Sequence, residues 1–500
     1  MTGFLPFNLA AWAFIWIYLL SLIAIGWLGY RARRGNTLND FYLAGPGFGL
    51  VILFLTLYAT QYSGNTLFGY TGMTYRIGYA WIMSVHFMTA IVVCYLIFAP
   101  RLYALAKARG YITPTDYLQD RFESGFLSLL VTVILIAVLG NYLLAQLMAM
   151  GRAVQGLSEI QPVIAYRYGV ISLALIIVIY GTLGGMRAVA WTDAIQGLML
   201  LCGFGVLLVL LVKQFGSIAL VTDRILQSED ANLVARAAAH GAGRVREWLS
   251  YVLIVGLGST LYPQAIQRIY AARSARVLRH SLAIMAFMPL ATALIAVLTG
   301  IYAIAHVPGL EGAASDQVLA RIMAGMQRAS VAGYWLVVLL FAAVLAATMS
   351  TADSALLSIS SMLSKDVYAR YIKRSASQEE LTRLGKICSW VLIVFLVWLA
   401  VELQERASLL ELLDRKFDML VQLVPAFMLG IHWRGLRKGP VIAGLIAGVL
   451  LSLALAFGNF SFVEEGKIGG LHPGLFGLAL NIAVAVTGSM VINTKCTSGR

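Results

Sequence analysis

Leu57-Tyr58-Ala59-Thr60-Gln61-Tyr62-Ser63-Gly64-Asn65-Thr66 is the polar middle of an otherwise apolar run, about 47–74. A run of that length exceeds the ~20 residues that cross a bilayer. Polar groups at mid-depth in hydrocarbon are costly unless paired or solvated, so a polar waist inside a span marks a functional position. Two other runs share the feature. Gly256-Leu257-Gly258-Ser259-Thr260-Leu261-Tyr262-Pro263-Gln264 brings glycines and a proline to the middle of about 247–272, where both weaken a helix. Ala346-Ala347-Thr348-Met349-Ser350-Thr351-Ala352-Asp353-Ser354 places hydroxyls near the middle of about 333–364.

The rest of the chain agrees with a membrane reading. Of 500 residues, 60% are hydrophobic and 12% charged, against roughly a quarter charged in soluble domains. Such a composition excludes a soluble enzyme, a disordered chain and a fibrous repeat. Thirteen apolar runs are legible, at about 7–30, 47–74, 78–100, 125–152, 162–183, 193–215, 247–272, 280–306, 333–364, 386–404, 408–433, 439–458 and 473–493. The expected fold is all-α, an integral membrane protein with thirteen transmembrane helices in a single transporter domain over 1–500. The first run lacks a basic start and a small-residue cleavage site, so it reads as a span and not as a leader.

The chain carries 37 Lys and Arg against 23 Asp and Glu. Most of the cations fall in alternate loops, among them Arg31, Arg33, Arg34, Arg187, Arg268, Arg273, Lys365, Arg370, Lys373 and Arg437. The positive-inside bias then puts the N-terminus outside and the C-terminus in the cytoplasm of a cell membrane, the bacterial inner membrane being the expected one. The net charge of +14 is thus a cytoplasmic-face signal, and no nucleic acid is expected. The four cysteines imply no disulfide framework. Two longer outer segments, about 216–246 and 307–332, are expected to carry amphipathic surface helices.

Spans 2 and 7 each open a group of five. A second group of odd number starts from the opposite face, so the groups are inverted repeats, 47–215 and 247–433. Span 1 (7–30) and spans 12–13 (439–493) are then peripheral. Interrupted helices in corresponding positions point to a transporter site, where freed carbonyls face an ion at the midplane. Ala347 lies one turn before Ser350 and Thr351, so its carbonyl shares their face. A Ser-Thr pair on a membrane helix also bonds back to its own carbonyls with no ion involved. A solute beside such an ion would meet Gln61, Ser63 and Asn65 of span 2, and Asn141, Tyr142 and Gln146 of span 4. Tyr262 and Gln264 of span 7 and Gln422 of span 11 complete the set. Each of these side chains serves equally as an interhelical hydrogen bond. Gly444 and Gly448 of span 12 allow a close helix contact.

Gly184-Gly185-Met186-Arg187-Ala188-Val189-Ala190-Trp191-Thr192-Asp193-Ala194-Ile195-Gln196 resembles the signature of the sodium:solute symporters. Asp40-Phe41-Tyr42-Leu43-Ala44-Gly45, Thr113-Pro114-Thr115-Asp116-Tyr117-Leu118, Gln267-Arg268 with Ala271-Ala272-Arg273, and Met349-Ser350-Thr351 strengthen the likeness, which covers roughly 30–440. The resemblance implies a LeuT-type core of two inverted five-helix repeats (spans 2–6 and 7–11). It also implies alternating access driven by inward sodium flow, with Na+ as the coupling ion. It puts the sodium site on Ala59, Tyr62, Ala347, Ser350 and Thr351, and the inner ion exit at Asp193, a residue that also suits a helix cap. In the family's proline branch the position of Gln61 carries an aspartate and that of Asn65 a tryptophan. This chain has neither, so the likeness does not carry proline specificity with it.

The expected function is sodium-coupled symport of a small organic solute. A carboxylate-bearing one, such as a monocarboxylate, a pantothenate-like acid or an amino acid, is preferred. Phosphate-cradling, zinc and nucleophile-elbow motifs do not occur, so no enzyme is expected. A transporter-fold sensor, a channel and a proton-coupled symporter are the alternatives. The last is disfavoured because no titratable carboxylate lies among the expected ion ligands. Partners beyond sodium, solute and bilayer are not implied.

Overall fold

The computed structural model describes residues 7–45, 47–63, 65–155, 161–235, 241–310, 315, 317–404, 409–458, 460–464 and 466–498. Its principal helices, taken in chain order and leaving out several short ones, are α1 (Leu9–Arg31), α2 (Leu50–Gln61), α3 (Tyr70–Ile77), α4 (Met83–Arg109) and α5 (Gly125–Gln155). Next come α6 (Pro162–Gly184), α7 (Met186–Phe215), α8 (Ala242–Ser259), α9 (Pro263–Ala271) and α10 (Ala293–His306). The last are α11 (Val331–Ser361), α12 (Gln378–Glu402), α13 (Leu409–Leu420), α14 (Lys438–Phe457) and α15 (Pro473–Ser498). The one strand pair among the described residues, Val463–Glu464 with Lys467–Ile468, is an antiparallel hairpin between α14 and α15 that the all-α expectation did not include. Short helices Ile218–Leu226 and Val318–Ala329 occupy the two expected surface segments.

Among the described residues, ten helices are long and apolar enough to cross a membrane, or eleven when the bent pair α8–α9 is one span. The difference from thirteen has a physical source, since interrupted segments fall short of a continuous apolar helix. α2 has only 12 residues and ends at Tyr62, whose backbone turns extended (φ −104°, ψ 106°). The chain resumes as a π-turn, Asn65–Gly69, and runs on through α3. α8 and α9 meet at 52°. Pro263 opens α9, where its missing N–H costs nothing, and it forces Tyr262 out of helical geometry (ψ 128°). Span 8 is also interrupted, at Thr292 (φ −134°, ψ −64°), a break the sequence reading did not anticipate. Span 11 tightens to a single 3-10 turn at 421–423 and widens to a π-turn at Pro425.

By contrast α11 runs unbroken for 31 residues, and every side chain from Leu340 to Ser361 is buried. A helix buried all round belongs to the centre of a bundle. It packs on α5, α7 and α2, while α7 also packs on α2. The last two helices, α14 and α15, pack on each other. A Cβ on Gly444 would meet Asn481 O at 2.6 Å, and one on Gly448 would meet Gly477 O at 2.7 Å, so the glycines serve contact within the chain. On the outside, Ile17, Val394 and Trp398 are exposed, as on helices that face lipid.

Two cations placed in inner loops are in fact buried. Arg187 pairs with Asp40 at 2.8 Å. Arg268 has no exposed surface at all.

Candidate ion and solute site

The break after α2 brings its last carbonyls against the middle of α11. Ser350 Oγ donates to Ala59 O at 3.1 Å and to Ala347 O at 3.2 Å. Thr351 Oγ1 donates to Ala347 O at 3.2 Å. Two hydroxyls and two carbonyls, one of them across the helix pair, thus form one knot of oxygens. Tyr62, the fifth expected ligand, lies in the extended turn beside it, buried, its ring 4.8 Å from that of Tyr58. Back-bonding by the Ser-Thr pair is real, but the bond to Ala59 reaches a different helix, which back-bonding alone does not require. Buried neutral oxygens suit a monovalent cation that exchanges hydration water for carbonyls and hydroxyls.

Above this knot lies an aromatic group. The Tyr142 hydroxyl sits among those of Ser63 and Thr351. Its ring stacks on Tyr262, centroids 5.3 Å apart and planes 12° apart. Lys416, only 2% exposed, places Nζ 3.5 Å from the Tyr142 centroid. Gln146 is one turn beyond Tyr142 on the same face. Both side-chain polar atoms of Gln146 and of Gln264, and the Tyr262 hydroxyl, are buried without a hydrogen-bond partner. Buried polar groups are almost always satisfied, so five such atoms on three of the expected solute contacts set this place apart as the candidate solute site.

The other expected contacts go elsewhere. Gln61 Nε2 donates to Tyr95 OH at 3.4 Å, and Tyr95 OH to Ser259 O at 3.5 Å, which ties the first break to the second. Gln422 is not brought to the group. Its Nε2 donates to Gly474 O at 2.8 Å and Ser452 Oγ at 3.0 Å, and it fastens span 11 to the last two helices. The Asn65 side chain lies outside the described residues.

On the other side of the knot, toward the end of α11 that leads to Lys365, is a buried charged network. Arg268 Nη2 donates to Asp193 Oδ2 at 2.6 Å and to Ser354 Oγ at 2.5 Å, and Arg268 Nε to Thr56 Oγ1 at 2.7 Å. Thr56 also bonds to Asp193. Ser354 Oγ donates to Ser350 O at 2.7 Å and to Asp353 Oδ1 at 3.1 Å. Tyr180 OH donates to Asp353 Oδ2 at 2.5 Å. Asp193 is therefore part of a sealed ion pair. Two carboxylates, Asp193 and Asp353, thus lie about one turn from the proposed ion ligands, although neither is among them. Sequence reading missed Arg268, Asp353, Tyr180 and Lys416 in these roles. A signal existed for Asp353, a carboxylate inside an apolar run.

Residues 41–448 match the sodium:solute symporter family. The chain is 26% identical to the osmoregulated proline transporter OpuE of Bacillus subtilis (strain 168) over 439 residues, 86% of each protein. It is 25% identical to a sodium/proline symporter of Staphylococcus aureus (strain JH9) over 488 residues, 95% of this chain and 92% of that one. Among solved structures, a Na+-coupled sialic acid symporter in a substrate-bound outward-open state superposes with a TM-score of 0.81 at 18% identity, covering 97% of this chain and 98% of that one. Mhp1, a nucleobase-cation-symport-1 family transporter, superposes at 0.53 and 13% identity, covering 91% and 95%. At these identities the structural likeness speaks for the fold, a LeuT-like bundle.

Proposed function

The chain belongs to the sodium:solute symporter family, and we propose from that premise that it couples sodium entry to uptake of a small carboxylate-bearing solute by alternating access. It is a multi-pass membrane transporter and not an enzyme, and Na+ is its coupling ion. Relatives named for proline make proline the first compound to test. Gln61 and Asn65, which stand where the proline branch has an aspartate and a tryptophan, keep other short carboxylates in the test.

The observation that carries the ion site is the Ser350 hydroxyl, shared between Ala59 O of α2 and Ala347 O of α11. Sodium at Ala59, Tyr62, Ala347, Ser350 and Thr351 would take the place of these hydrogen bonds and pin the broken helix to the unbroken one. Solute would bind beside it, against Ser63, Tyr142, Gln146, Tyr262 and Gln264. Asp193, released from Arg268, would line the way inward. Thirteen crossings, N-terminus outside and C-terminus inside, with repeats over 47–215 and 247–433, accommodate both breaks at one depth.

The test is the double variant Ser350→Ala/Thr351→Ala in proteoliposomes. Sodium activation of uptake should weaken by about 1–3 kcal/mol of coupling, an apparent sodium affinity lower by roughly 5- to 150-fold. Unaltered sodium activation would sink the site.

A further inference from the structure

We propose that Tyr58 and Thr292 are positioning residues for the ion site, a pin that holds the break of span 2 against the break of span 8. The inference rests on the ion site proposed above and deepens it. Span 8 consists of Ala275–Met285, the short turn Met288–Ala291 and α10. Pro289 has no N–H to bond back into the preceding turn, and Thr292 leaves helical geometry (φ −134°, ψ −64°). The two interrupted spans lie alongside each other, half against half. Ala275–Met285 packs on α2, and α10 packs on α3. The second halves approach closely, since a Cβ on Gly300 would meet Thr74 Cβ at 2.4 Å and Thr71 O at 2.7 Å. Where the two breaks pass each other, Tyr58 OH and Thr292 Oγ1 share a hydrogen bond of 2.6 Å, and neither side chain has exposed surface.

The pin reaches the proposed ion ligands through one ring. Tyr58 immediately precedes Ala59, and its carbonyl accepts the last helical bond of α2, from Tyr62 N at 3.0 Å. Its ring packs against that of Tyr62, centroids 4.8 Å apart. At Tyr62 the backbone is already extended, so no helical ladder aims the carbonyl there. What steadies the turn is the ring that Tyr62 rests on, and Thr292 fixes the far end of that ring. A tyrosine–threonine bond anywhere in a bundle ties two helices together. This one ties two interruptions, on the residue beside both expected carbonyl ligands of span 2. An ion site works best when its oxygens are held in place by the groups behind them. A second bond, Tyr75 OH to Val307 O at 2.6 Å, joins the same two spans near the end of α10. The spans are thus fastened at the break and again far from it, and the bond at Thr292 is the one that bears on the ion.

The experiment titrates purified full-length protein with sodium chloride, choline chloride holding the ionic strength, and reads the sodium concentration that gives half of the thermal stabilisation. Tyr58→Phe and Thr292→Val each remove the bond at nearly constant shape. Each should raise the half-saturating sodium concentration by roughly two- to tenfold, the size of one neutral hydrogen bond. The double variant should lose no more than either single one, as for two partners of one bond, and Thr292→Ser should keep the wild-type value. A bond that only ties helices would lower the midpoint in choline alone and leave the sodium concentration unmoved. An unmoved value in both single variants, additive losses, or a Thr292→Ser no better than Thr292→Val overturns the proposal. If Thr292→Val fails to fold, Tyr58→Phe, which removes the same bond from the other side, decides. Ser350→Ala/Thr351→Ala is titrated alongside. If that variant loses the sodium response while Tyr58→Phe and Thr292→Val keep it, only the pin is lost. If it keeps the wild-type response, or if the wild type ignores sodium, the ion site falls and the pin with it.

Discussion

Asp193 and Arg268 are both without exposed surface and are 2.6 Å apart, and they show how a single residue changes meaning with depth. Deleting one partner of a buried pair strands the other charge and costs about 3–5 kcal/mol. Asp193→Asn and Arg268→Met should therefore each lower the thermal midpoint strongly, and the double variant should be destabilised by clearly less than the sum. A double-mutant cycle on purified protein checks this, and additive losses would show that the pair is not coupled. In transport assays Asp193→Asn should slow turnover more than it weakens solute binding, because its place lies beyond the oxygens proposed for the ion. Ser350 and Thr351 were legible because hydroxyls in the middle of an apolar run stand out in one dimension. Arg268 was not, because a cation after an apolar stretch reads as a loop, and only the bend at Pro263 turns it inward. Lys416 was hidden for a similar reason. Its charged neighbours make the sequence look like a solvated helix start, whereas the rings that hold it come from helices far away in the chain.

At the scale of elements, the breaks in spans 2 and 7 were readable from glycine, proline and polar side chains. The break at Thr292 was missed although Pro289, at the start of the short helix Met288–Ala291 that ends there, gave a sequence signal for it. Pro263→Ala tests what the second break is for. The change restores an N–H donor and removes the ring that bars helical geometry at Tyr262. α8 and α9 should then favour a straighter junction, so sodium-driven uptake should fall several-fold while the thermal midpoint stays within a few degrees. Uptake at the wild-type rate would mean that the bend is set by packing and that the proline is incidental. α11 behaves in the opposite way. It has no break because it has no mid-helix glycine or proline between Ala342 and Ser361, and its small residues let three helices approach it.

For the whole molecule, the proposed span number and orientation rest on where charge can leave the membrane. Single cysteines placed in a cysteine-free background give the check. Ser228→Cys, on an exposed turn after helix Ile218–Leu226, should react with an impermeant maleimide in intact cells. Ser375→Cys, in the exposed turn before α12, should react only after permeabilisation. The reverse pattern would invert the topology, and labelling of both from one side would change the parity of the crossings between them. Fold class was legible from composition and period because the bilayer allows few alternatives. The arrangement of pairs such as Asp40 with Arg187 was not, since it depends on which loops fold back between helices.

The hydroxyl of Ser350 and the carbonyl of Ala59 are 291 positions apart in the chain. They belong to one continuous rod and one interrupted one. Any motion that slides these rods past each other takes the cage apart from one side. An ion held there, as proposed, could not outlast the geometry that holds it, nor could that geometry open while the ion stayed bound. A cage assembled from both sides of a moving seam thus opposes slippage, because release and rearrangement become the same event.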